Sequence, residues 1–95
     1  MTRFTVVWDK EVESQFLNTW IAGHAGTRAF LTDVANLVDS SLSDDPIEKG
    51  IRLSERDAYI LVVPVSGVSA RVSVTFQVLP NDQLVRVIRL TIRGE

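Results

Sequence analysis

The sequence predicts an α+β domain: an N-terminal strand, an antiparallel two-helix hairpin, then a mainly antiparallel β-meander. Three observations carry this reading. Between residues 10 and 42, apolar side chains recur at helical spacing in two segments. From Val68 to Val78 apolar and polar residues alternate strictly, the period-two mark of a half-buried strand. The closing run LVRVIRLTIR is rich in β-branched residues and follows a turn-forming Asn81-Asp82-Gln83.

Taken in order, Phe4–Trp8 is a strand of β-branched and aromatic residues. Asp9 is placed as the N-cap of the first helix, which Lys10 and Glu11 open with a carboxylate in the first turn. Val12, Phe16, Leu17, Trp20 and Ile21 form its apolar stripe, and Gly23 ends it. Thr27 is placed as the cap of the second helix, with Phe30, Leu31, Val34, Leu37, Val38 and Leu42 as its stripe. The short Gly-containing connection makes the pair an antiparallel hairpin. Pro46 disfavours helical geometry at Asp45, so SLSDDP closes the helix and Gly50 permits a turn into the sheet. DAYILVVPV supplies the next strand.

The last hairpin can be read to its register. In Val68–Leu79 the even positions Val72, Val74 and Phe76 face the core and Arg71, Ser73 and Thr75 face away. In the final strand Leu84, Ile88, Leu90 and Ile92 share one face with Arg86. Val85, Val87, Arg89, Thr91 and Arg93 then share the other. Paired residues point to the same face, so loop length decides which sets meet. A two-residue Asn81-Asp82 loop sets Arg71 opposite Ile92 and Val74 opposite Arg89. A three-residue loop through Gln83 pairs Val74 with Leu90, Val72 with Ile92 and Arg71 with Arg93, and segregation of core from surface favours it. The expected core is Phe16, Trp20, Phe30, Val34, Val38, Val72, Val74, Phe76, Ile88 and Leu90. Val85 and Val87 are expected on a partly apolar outer face, open to a segment of a partner chain.

Ninety-five residues make a single domain, 1–95. The absence of cysteine excludes disulfides, a thiolate nucleophile and zinc–sulfur sites, and fits a reducing cytoplasm. The N-terminus turns charged after one short apolar run, which reads as neither a signal peptide nor a membrane span. Residues 1–45 carry three basic and seven acidic side chains, net −4; residues 46–95 carry seven and five, net +2. That balance is unlike a strongly basic electrostatic binder. The sequence holds no dinucleotide, Walker or HExxH motif and no cluster with metal-ligand spacing, so neither a cofactor nor a metal site is expected. His24, the only histidine, falls in the helix connection and reads as a solvent-exposed loop residue rather than a general base. Tyr59 reads as a core residue with its hydroxyl at the rim. Trp8 and Trp20 read as helix–sheet contacts, and Glu55 and Asp57 as parts of a charged turn.

The element order, the segment Asp45-Pro46…Gly50 and the stretch ARVSVTFQVLPNDQLVRVIRL resemble the RelE/ParE superfamily of small bacterial toxins. The resemblance implies a toxin encoded beside a neutralising antitoxin, and therefore a cognate antitoxin peptide as partner. In one branch such toxins cut messenger RNA at the ribosome; in the other they poison DNA gyrase. It also implies site residues. Arg71 falls where the RelE branch resembles itself in an arginine on the scissile phosphate, and Arg93 lies near a second basic position. Together they are the candidate catalytic pair. Lys49 and Arg52 sit where basic residues precede the meander and, with Arg89, are candidate binding residues. An enzyme built on arginines alone would act by electrostatic stabilisation of the transition state. The alternative from a different class is a non-catalytic protein-interaction module that keeps the toxin fold.

Overall fold

Five strands form one sheet in the order β1-β5-β4-β3-β2, with β1 parallel to β5 and every other pairing antiparallel. The computed structural model describes residues 3–53, 58–65 and 70–94. The elements are β1 (Thr5–Trp8), α1 (Lys10–Ala22), α2 (Ala25–Leu42), a short α3 (Pro46–Lys49), β2 (Ile51–Arg52), β3 (Tyr59–Pro64), β4 (Ala70–Leu79) and β5 (Leu84–Gly94). A single 3-10 turn, Pro80–Asp82, joins β4 to β5, and Gln83 closes it in the left-handed region. The expected strand, helical hairpin and meander are all present; α3 and β2 are additions the sequence reading passed over. Val68, Glu55 and Asp57 lie outside the described residues. Among those described, no helix is long and apolar enough to cross a membrane.

The helix ends follow local chemistry. Asp9 occupies the N-cap position of α1 but makes no capping hydrogen bond with its side chain. The N-cap of α2 is His24 rather than Thr27: the Thr27 amide donates to His24 Nδ1 at 3.4 Å. A ring nitrogen here does what a hydroxyl was expected to do, three residues earlier. Arg28 fastens the two helices, donating from Nε to the Trp20 carbonyl and from Nη2 to that of Ile21, both at 3.0 Å. Its guanidinium also lies 4.6 Å from the centre of the Trp20 ring. Gly50 is needed for space: a Cβ there would stand 2.7 Å from Phe76 Cζ.

The core lies between α2 and one face of the sheet. Val34, Val38, Leu42, Val72, Val74, Phe76, Val85 and Val87 are buried in one cluster, with Phe16, Phe30, Tyr59 and Leu90 packed against it. Phe76 stacks on Tyr59 at 5.7 Å, and Trp8 meets Phe16 edge-on at 5.2 Å. Trp20 and Ile88, expected in the core, are half-buried at its margin. The stripe of α1 is narrower than expected. Leu17 and Ile21 are exposed, because each is turned about 100° from its inward neighbour.

A β-bulge decides the faces of β5. From Ala70↔Gly94 to Thr75↔Arg89 the register is that of the three-residue loop; from Phe76↔Val87 to Leu79↔Leu84 it is that of the two-residue loop. Ile88 is the extra residue at the junction. The favoured pairings, Val74 with Leu90, Val72 with Ile92 and Arg71 with Arg93, thus hold beyond the bulge, whereas Arg71 opposite Ile92 and Val74 opposite Arg89 do not occur; residues 80–83 make the connection. In consequence Val85 and Val87 are fully buried, not on an outer face open to a partner. One extra residue reverses the alternation of a strand, so Arg86 joins Arg89 and Arg93 on the face turned away from the helices.

Candidate functional site

That outer face carries the candidate site, because residues paired across strands project to the same side. Three rows cross it: Ile51, Ile60, Thr75 and Arg89; then Val62, Ser73 and Thr91; then Pro64, Arg71 and Arg93. They form an open groove of about 580 Å³ lined by Ile60, Val62, Arg71, Ser73, Thr75, Arg89, Thr91 and Arg93. One wall is apolar, from Ile60 and the half-exposed Val62 on β3. The floor is hydroxylic, from Ser73, Thr75 and Thr91. The other side is cationic, from Arg89 and Arg93 on β5, with Arg71 facing Arg93 across the ladder.

The alternation of β4 explains the arrangement. Its buried set, Val72, Val74 and Phe76, obliges Arg71, Ser73 and Thr75 to face outward. The bulge does the same for Arg89, Thr91 and Arg93. All three groove arginines are exposed. Among the described residues neither Arg89 nor Arg93 has a hydrogen bond or ion pair; Arg71 does have a partner.

Sequence reading named five site residues, and the structure gathers three of them. Lys49 lies at the end of α3, where its Nζ donates to the Ser41 carbonyl at 3.1 Å. Arg52 pairs with Tyr59 on the edge strand β2, and therefore shares the face of Tyr59 and Phe76 rather than that of the groove. A residue missed was Arg86, beside the groove on the same face. Its Nε and Nη2 both donate to Asp9 Oδ1, at 3.0 and 2.8 Å. The sequence did hold a signal for it: the apolar set of β5 passes from odd to even numbers at Val87-Ile88.

Chemically, the groove is a set of donors. A guanidinium offers five N–H groups in a planar fork matched to phosphate or carboxylate, and hydroxyls can add further donors. A guanidinium carries donors and no acceptor, so none of these arginines can serve as a general base. His24 is at the start of α2 and Tyr59 is stacked on the core, both away from the groove. Among the described residues no group of three or more His, Asp or Glu side chains is placed to hold a metal ion.

No protein-family model matches the chain, and no curated protein sequence does. Solved structures do match. A chain of the RelBE2 toxin–antitoxin complex of Mycobacterium tuberculosis superposes with a TM-score of 0.65 at 14% identity, covering 100% of this chain and 97% of that one. A chain of the intact Escherichia coli RelBE complex gives 0.56 at 17%, covering 97% and 95%. An arginine double mutant of E. coli RelE in the free state gives 0.57 at 15%, covering 100% and 84%. From end to end, the chain has the fold of the RelE toxins.

Proposed function

We propose that this protein is the toxin of a type II toxin–antitoxin pair, checking growth by acting on messenger RNA at the ribosome or on DNA gyrase, and neutralised by a cognate antitoxin peptide. The observation that carries the reading is the convergence of Arg71, Arg89 and Arg93 on one groove of a RelE-type sheet. Two of the similar structures are toxin–antitoxin complexes, which supports an antitoxin as partner. Arg71 and Arg93 are the catalytic candidates, because two opposed forks can hold one phosphate and stabilise the charge that develops in a transition state. Arg89 is a binding residue farther along the groove. Lys49 and Arg52 stand outside it and would meet only a target that runs past the β2 edge. The reading requires no cofactor or membrane and places the protein in the cytoplasm, with its targets.

One observation favours a second reading, a toxin-fold interaction module without catalysis. Among the described residues, the polar side chains lining the groove are arginines and hydroxyls, with no carboxylate or imidazole. A general acid or base contributes about 10²–10⁴-fold, and this lining supplies neither.

Induced expression in a bacterial host tests both readings. Growth should stop, and co-expression of the neighbouring gene's product should restore it. Purified protein is then assayed for cleavage of ribosome-bound messenger RNA and for inhibition of gyrase supercoiling. Arrest with neither activity selects the interaction module. A protein that is harmless alone and binds no neighbour's product is not a toxin.

A further inference from the structure

We propose that Asp9 is an internal counter-anion masking a fourth arginine of the sheet face, and that a single-stranded nucleic acid lying along β5 displaces it and recruits Arg86. The inference rests on reading the open face as the anion-binding surface, and deepens that reading by giving the surface a fourth contact and a built-in competitor.

Position comes first. Arg86 pairs with Val7 on β1 and Gln77 on β4. Both flanking residues of β5, Val85 and Val87, are fully buried, so Arg86 points to the groove side. Thr75 and Gln77, which face Arg89 and Arg86, are two residues apart on β4, so the two arginines are roughly 7 Å apart along the face. Arg86, Arg89 and the Arg93/Arg71 pair therefore form one track along β5, interrupted only at Thr91.

Arg86 differs from Arg89 and Arg93 in being engaged. Its fork closes on a single oxygen of Asp9, and the two side chains are 47% and 36% exposed. Asp9 stands at the N-cap of α1 yet caps nothing with its carboxylate; the group is turned to Arg86 instead. An ion pair this exposed is worth little. A phosphate can therefore take the carboxylate's place on the same fork, at the cost of one weak pair. The bonding capacities of the ligands favour a nucleic acid over an extended peptide. The face of a sheet has no free backbone groups, so an extended peptide laid on it would leave its own amides unpaired. A phosphodiester chain has only acceptors there, matched to guanidinium and hydroxyl donors, and its bases can rest on Ile60 and Val62.

The experiment is a double-mutant cycle read by fluorescence anisotropy of a labelled twelve-residue oligouridylate across a salt series. Melting curves confirm that each variant is folded. Asp9→Asn should tighten binding several-fold with an unchanged salt slope. Arg86→Ala should weaken binding and lower the slope of log K against log salt by about 0.7, one phosphate contact on a single strand. In the double variant, removing Asp9 should have no effect. An equal gain from Asp9→Asn with or without Arg86 would mean general charge repulsion and overturn the proposal. If Arg86→Ala binds like the unmodified protein while Arg71→Ala/Arg93→Ala does not, the masking idea fails and the anion-binding face stands. No binding by any form removes both. Equal behaviour toward a twelve-residue polyglutamate would assign the track to an acidic peptide and overturn the nucleic-acid class.

Discussion

Arg71 lies directly opposite Arg93 across the β4–β5 ladder, so two guanidiniums leave the sheet side by side on its open face. Like charges placed this way destabilise a sheet by up to about 1 kcal/mol. Replacing Arg93 by Ala should therefore leave the melting temperature level or raise it, by at most about 8 °C for a domain of this size. Toxicity or partner binding should fall in the same variant. A fall in melting temperature with function retained would mark Arg93 as structural.

The second prediction concerns the bulge. Ile88 is the extra residue, so deleting it would join Val87 directly to Arg89 and leave every other pairing of the ladder in place. Val85, Val87, Leu90 and Ile92 would still face the core, and Arg86, Arg89 and Arg93 the open face, in one unbroken alternation. The deletion variant should therefore fold and keep a cooperative melting transition. Loss of that transition would mean that the bend the bulge gives the strand, and not only the choice of faces, is needed for the fold.

The bulge also marks the boundary of what the sequence disclosed. The apolar stripe of α2 and the alternation of β4 were legible, because each follows one period from end to end and a slip would expose a whole set of side chains. The β5 strand follows two half-patterns: Val85 and Val87 on odd positions, Leu90 and Ile92 on even ones, with the arginines changing from even to odd beside them. Read with one period, it placed Val85 and Val87 outside, paired Arg86 with the wrong face and hid the Asp9 contact. Burial is a tertiary fact that α2 and β1 impose on those positions. The α3 turn and β2 are too short to show a period at all. Lys49 and Arg52 were named by resemblance in sequence position, which carries no information about which face of an edge strand a side chain takes.

Phe76 is the centre of the packing: fully buried, stacked on Tyr59 and in the way of any side chain at position 50. Truncation to Ala should cost about 3–5 kcal/mol, against a total of roughly 5–15 kcal/mol for an ordinary domain. Urea denaturation would show it as a lower midpoint with an unchanged slope. A loss below 1 kcal/mol would mean that the core collapses around the gap and that Phe76 is not its keystone.

Arg28 is the clasp of the helical hairpin. Its two donors meet the carbonyls of Trp20 and Ile21 in the last turn of α1, the first of which also accepts from the Gly23 amide at 3.3 Å, and its plane covers the Trp20 ring. Hydrogen bonds from a charged donor contribute about 1.5–3 kcal/mol when shielded and less in the open, and a cation–π contact adds roughly 0.5–1 kcal/mol at an exposed site. Arg28→Ala should therefore lower stability by about 1–2 kcal/mol and speed hydrogen exchange of the α1 amides ahead of those in β4. Arg28→Lys should recover only part of this, because a single ammonium cannot meet two carbonyls in the fork geometry. Exchange rates in α1 that do not change in Arg28→Ala would mean that sheet packing, through Phe16 and Val12, holds the hairpin without the clasp.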